Sequence, residues 1–184
     1  MVLELGVLAV IVVGVGLMYN SLVKLRETAD GAWADVDVQL KRRHDLVPNL
    51  VETVKGYASH EKGTFEAVVE ARSKAMNATG PAAAAEAENM LTGALKSLFA
   101  LSENYPQLRA SENFAGLQST LSQLEDAIQK ARRYYNAVVR DYNTKVGQVP
   151  TNLVALTFRF REREFFEAAA GERDVPQVDF GGGA

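Results

Sequence analysis

The sequence predicts an all-α protein, with an N-terminal transmembrane helix followed by an antiparallel up-and-down four-helix bundle. Three observations predict it. An uncharged apolar run of bilayer length stands near the N-terminus, apolar residues recur at helical spacing through most of the remaining chain, and alternating strand patterns of useful length are absent. The 184 residues leave room for one domain of ordinary size with its own core, plus appendages.

The run LGVLAVIVVGVGLMY, Leu5 to Tyr19, carries no charge, and its flanks extend the apolar span to about 20 residues. A secretory signal calls for a positive n-region and a small-residue cleavage site, whereas Glu4 is the one charged side chain before Lys24. Residues 1–23 are therefore read as an uncleaved transmembrane anchor. Lys24, Arg26, Lys41, Arg42 and Arg43 all follow the span, so the positive-inside bias puts the N-terminus outside and the bulk of the protein in the cytoplasm. That makes the chain a single-pass membrane protein. Gly6, Gly14 and Gly16 lack the four-residue spacing of the close-packing helix dimer motif.

Residues 24–148 are read as the cytoplasmic bundle. Trp33, Val36 and Leu40, then Val47, Val51, Val54 and Ala58, then Phe65, Val68, Ala71 and Ala75 keep helical spacing. Gly80-Pro81 marks a break, after which AAAAEAENMLTGALKSLFAL favours helix until Tyr105-Pro106 ends it. Phe114, Leu117, Leu121, Leu124, Ile128, Ala131, Tyr135, Val138 and Tyr142 follow a seven-residue repeat of coiled-coil type, opening near Ser111 and closing near Gly147.

Pro48 admits two readings. Val47, Val51 and Val54 stay in phase with Trp33, Val36 and Leu40, which suits one helix kinked at the proline. Lengths favour a reversal: a continuous rod from Lys24 to Asn77 would reach about 80 Å, beyond what the shorter third helix lets the fourth cover. The expectation is a turn between helices here, with Asp45 as cap and Pro48 in the next helix's first turn. Residues 149–171 form an aromatic and basic segment packing on the bundle base or the membrane, and residues 172–184 read as a disordered tail.

The chemistry-bearing residues are few. The net charge of −3 is interspersed, which argues against nucleic acid as a partner, and the absence of cysteine excludes disulfides and thiolate sites. His44-Asp45 has no serine elbow or second histidine beside it and reads as turn capping or surface pairing. HEKGT begins like a zinc protease motif, but Thr64 stands where the second histidine belongs, and the Glu-x-x-His spacing of di-iron bundles is missing. Asn77-Ala78-Thr79 is a chance sequon. No catalytic residue, metal or cofactor is expected.

Two constellations stand out. Gln39, Arg43, Asn49, Asn104, Arg132, Asn136 and Asn143 lie beside the core stripes, and Tyr135-Asn136 and Tyr142-Asn143 are one heptad apart, facing one seam. They either satisfy one another and set helix register, or form an interface for a partner helix or another copy of the bundle. In FRFREREFF, the aromatics Phe158, Phe160, Phe165 and Phe166 interleave with Arg159, Arg161 and Arg163. Either Phe158, Phe165 and Phe166 cap the bundle base, or the phenylalanines enter the membrane interface while the arginines meet lipid phosphate; Glu162, Glu164 and Glu167 offset the charge and favour capping.

The segments WADVDVQLKRRHDLVPNLVETVKGYASHE and ENYPQLRASENFAGLQSTLSQLEDAIQKARRYYNAVVRDYN, followed by the F.F.....FFEA pattern, resemble the LemA family of bacterial membrane proteins. The likeness runs from the anchor to about Ala168. It implies a short external N-terminus, one transmembrane helix and a cytoplasmic antiparallel four-helix bundle. It implies no reaction: the family has no established enzymatic activity, one branch takes part in forming magnetosome membranes, and family genes can neighbour those for a membrane zinc protease. The expectation is a scaffold or interaction module in membrane organisation, or alternatively an adaptor in membrane-protein quality control acting with a membrane protease. The partners are then the lipid bilayer, another copy of the chain or a membrane protein.

Overall fold

A computed structural model describes residues 2–167, and every regular element among them is helical. In order they are α1 (Val2–Lys55), α2 (Lys62–Asn77), α3 (Pro81–Ser102), the short α4 (Pro106–Arg109), α5 (Glu112–Gly147) and α6 (Thr151–Thr157). A strap without regular structure, residues 160–167, follows α6. The tail expected from Glu172 onward lies outside the described residues.

α1 changes surroundings without breaking. Leu3, Leu5, Val10, Ile11 and Leu17 are exposed, and among the described residues α1 is the one helix long and apolar enough to cross a membrane. From Leu22 onward the same helix buries Ala29, Ala32, Val36, Leu40, Val47, Leu50 and Val54, the stripe of a core helix. α5 runs antiparallel beside it: Leu22 shares a cluster with Tyr142, Val36 lies in the next with Tyr135, and Val54 lies with Phe114 in the most distal. α2 and α3 form a hairpin that completes the distal cluster, where Val47 and Val54, Val68 and Ala75, Leu91 and Leu98, and Leu121 all pack. Two helix starts follow local rules. Gly80 precedes Pro81 with φ +87°, which favours glycine, and the Ser111 hydroxyl accepts from the Phe114 N–H to cap α5.

The expected turn at Asp45 and Pro48 does not form. Both residues are exposed in the interior of α1, and the chain reverses at 56–61 instead. The reason is a tertiary contact. Proline cannot donate to the carbonyl four residues back, which is that of His44. Arg72 on α2 supplies the missing donor, its Nε lying 2.7 Å from the His44 oxygen. The length objection also disappears with the reversal at 56–61, because residues 24–55 and α5 are both about 50 Å long at 1.5 Å per residue.

α6 ends in a tight reversal. The Phe160 N–H donates to the Ala155 oxygen and the Arg159 N–H to the Leu156 oxygen, with Arg159 at φ 59°. This is the paired-bond helix stop that usually takes glycine at the left-handed position. It sends the strap back along the seam between α1 and α5.

Candidate functional site

The Tyr-Asn repeat of α5 holds the strap. The Tyr142 hydroxyl donates to the Arg161 oxygen at 3.0 Å, and the Tyr135 hydroxyl to the Glu164 oxygen at 2.8 Å. Asn143 takes the Arg163 main chain at both ends, donating to its carbonyl and accepting from its N–H, each at 2.9 Å. Asn136 does the same for Phe166, at 3.0 and 2.9 Å, and the Arg132 Nε adds a bond to the Phe166 carbonyl at 3.0 Å. Each step of seven helical residues rises about 10.5 Å. Three strap residues match that step only when nearly fully stretched, at about 3.3–3.6 Å each. All of these bonds end on main-chain atoms of the strap, so one heptad of α5 reads three residues of extended backbone.

Side chains add the register. Arg163 pairs with Asp30 at 2.7 Å and lies over the Tyr142 ring, and Arg132 lies over the Phe166 ring. Phe166 is buried, its ring 5.8 Å from that of Trp33, which is 5.3 Å from Tyr135. Burial pushes the phenol of Tyr135 up from its ordinary value; Arg163 pulls it down, while Glu164 and Asp30 add to the rise. Tyr142 shifts the same way for the same leading reason, with Arg163 and Arg26 opposing it. Both hydroxyls therefore stay protonated donors.

The strap divides the aromatic-basic segment. Phe160 and Phe166 are buried, Phe165 packs partly buried against the middle cluster, and Arg163 is engaged with Asp30. Phe165 and Phe166 lie beside Trp33, well up the bundle, so Phe160 rather than these two sits at its base with Leu22 and Tyr142. Phe158, Arg159 and Arg161 remain exposed. Neither a partner helix nor a second copy is needed to occupy the Tyr-Asn seam, since the chain's own strap does so.

A second constellation joins α1, α3 and α5. Arg43 and Glu88 are 2 and 5 % exposed, with Nη1 to Oε2 at 2.9 Å, and Nη2 reaches Thr92 at 2.8 Å and Glu125 at 2.7 Å. The other Glu88 oxygen lies 2.5 Å from His44 Nε2, in hydrogen-bond contact. His44 is thus buried and paired with Glu88, correcting the expectation of a capping or surface role. A cleft of ≈ 500 Å³ between α3 and α5 exposes parts of Arg43, Glu88, Glu125 and Arg132. Both Glu88 oxygens are occupied, one by Arg43 and one by His44, so the cluster works as a clamp between helices. Of the other polar residues in the pattern, Gln39 is half-buried, while Asn49 and Asn104 are exposed. His60 is exposed and its neighbour Glu61 accepts from the Tyr105 hydroxyl; among the described residues no group of three or more His, Asp or Glu could hold a metal ion.

The heptad of Tyr-Asn pairs was the visible signal for the seam. Glu88, Thr92 and Arg72 carried none, because each acquires its role from a partner 28 or more residues away.

The LemA family model matches residues 32–180, which include the seam, the clamp and the strap. The chain belongs to the LemA family. Among its LemA-family relatives, the Magnetosome protein MamQ 2 of Paramagnetospirillum magneticum is 26 % identical, across 88 % of this chain and 70 % of that protein. The MamQ of Magnetospirillum gryphiswaldense is 25 % identical with the same coverage. The Protein LemA of Metamycoplasma hominis is 27 % identical, across 94 % of this chain and 78 % of that protein.

Proposed function

We propose that this LemA-family chain is a non-enzymatic, single-pass scaffold in membrane organisation. In this reading α1 crosses a bacterial inner membrane with its N-terminus outside, and α1, α2, α3 and α5 form an up-down-up-down four-helix bundle in the cytoplasm. The observation that carries it is the continuity of α1: one helix of 54 residues is both the uncovered apolar span and the spine of the core. A bundle built on its own anchor has no flexible linker, so the orientation of the span is passed directly to the distal end. Such rigidity suits a part that sets geometry at a membrane more than one that must close around a substrate. The MamQ relatives are magnetosome proteins by name, which supports the same direction.

The test is the mass of the full chain in nanodiscs, by light scattering, over a range of protein-to-lipid ratios. A defined oligomer is expected. A monomer throughout refutes self-assembly as the basis of scaffolding.

A further inference from the structure

Residues 149–158, VPTNLVALTF, carry no charge, and the fold uses only one side of them. Thr151, Val154 and Ala155 are buried, the latter two in the cluster with Leu22 and Tyr142. Val149, Leu153, Leu156 and Phe158 are 72, 63, 75 and 51 % exposed. Large apolar side chains left uncovered on the far side of a helix that is already packed on one face mark a docking surface.

The position of the patch identifies its occupant. The ring of Phe158 lies 4.8 Å from that of Tyr19, and the ring of Phe160 lies 5.6 Å from it. Met18 and Val23 pack on the same cluster as Val154 and Ala155. The uncharged part of α1, Leu5 to Val23, is about 28 Å long, which matches a hydrocarbon core of about 30 Å. Tyr19 falls inside that stretch, roughly 7 Å short of Lys24 along the axis. A group touching Tyr19 therefore lies at the boundary between acyl chains and headgroups. Cations gather at the same level: Arg26 lies over the Phe160 ring, and Lys24, Arg159 and Arg161 are exposed. The arrangement of apolar side chains below and arginines above is that of an interfacial element on an anionic bilayer.

We propose that α6 and its flanks form an in-plane membrane-docking element. Val149, Leu153, Leu156 and Phe158 enter the lipid boundary beside the span, while Arg159 and Arg161 meet phosphate oxygens. The inference rests on the reading of α1 as the membrane anchor, and it adds what a single span cannot supply. One helix crossing a bilayer is free to spin about its axis and to change its tilt. A second contact, displaced from that axis and tied to it through Leu22 and Phe160, fixes both and holds the bundle at one angle to the membrane.

The chain has no cysteine, so a single introduced cysteine takes a spin label with no native thiol competing. Leu156→Cys, Val12→Cys in the span and Met76→Cys on α2 alter exposed positions only. Each labelled full chain is reconstituted in phosphatidylcholine–phosphatidylglycerol nanodiscs, and the accessibility of the label to oxygen and to a water-soluble nickel chelate is measured. The expected result is that labels at 12 and 156 are both oxygen-rich and nickel-poor, with an oxygen-to-nickel ratio several-fold above that at 76. A lipid-like label at 12 with a water-like label at 156 overturns the docking element and leaves the anchor standing. A label at 156 shielded from both reagents means protein covers the patch, which also overturns it. A water-like label at 12 refutes the anchor itself, and the inference falls with it.

Discussion

Asn143→Ala should loosen the strap at one defined point. The side chain makes two hydrogen bonds to Arg163, one to its carbonyl and one from its N–H, and neither strap atom has another hydrogen-bonding partner among the described residues. At about 1 kcal/mol net for each bond, the loss is about 2 kcal/mol, or roughly a 30-fold rise in the fraction of time the Arg163 amide is open. Amide hydrogen exchange on the reconstituted full chain reads that quantity directly. The Arg163 amide should exchange about 30-fold faster than in the unmodified chain. The Phe166 amide should respond less, since Asn136 still accepts from it, while Arg132 and Trp33 still hold that end of the strap. Wild-type exchange at Arg163 would show that the paired amide bonds do not hold the strap, and the heptad-to-strap correspondence would be refuted with them.

Three further outcomes are expected from the same contacts. Arg72→Ala leaves the His44 carbonyl unbonded opposite Pro48 and should cost about 1–3 kcal/mol in denaturant unfolding; the cost should shrink when Pro48→Ala restores the helical donor. Glu88→Ala leaves Arg43 buried with Glu125 as its remaining carboxylate and removes the partner of His44, so a loss of about 3–5 kcal/mol is expected, while Glu125→Ala, at the half-exposed end, should cost far less. Folded-state values for Tyr135 and Tyr142 lie above the ordinary phenol value, so their contribution is complete below about pH 10 and is lost as pH rises through the raised values. Ionisation of Tyr135 and Tyr142, read from their own ring-carbon NMR shifts because the chain holds six tyrosines, should therefore accompany strap release on alkaline titration, and strap release that precedes it would contradict this linkage.

Much of the architecture was legible in local patterns. Leu5 to Tyr19 reads as a span because its length and lack of charge are properties of the chain alone. Ser111 and Gly147 bound α5 because a cap and a heptad stripe are encoded within a few residues of each other. Pro48 was misleading for a related reason. Local rules correctly record that proline removes a donor, but they cannot see Arg72 arriving from another helix to replace it.

The candidate site divides along the same line. By itself the sequence determined that two Tyr-Asn pairs share one face of α5, because spacing along a helix sets direction. That they meet residues 161–166 of their own chain was decided by tertiary structure, through the reversal at Arg159 and the match between seven helical residues and three extended ones. The clamp of Arg43, His44 and Glu88 is tertiary altogether. Glu88 is an ordinary glutamate in an alanine-rich helix until packing removes water from it, and only then do its two oxygens require two particular partners. Periodicity, length and charge act over one or two helical turns and are written in the chain. Burial and pairing act between segments distant in sequence and exist only once the helices have packed.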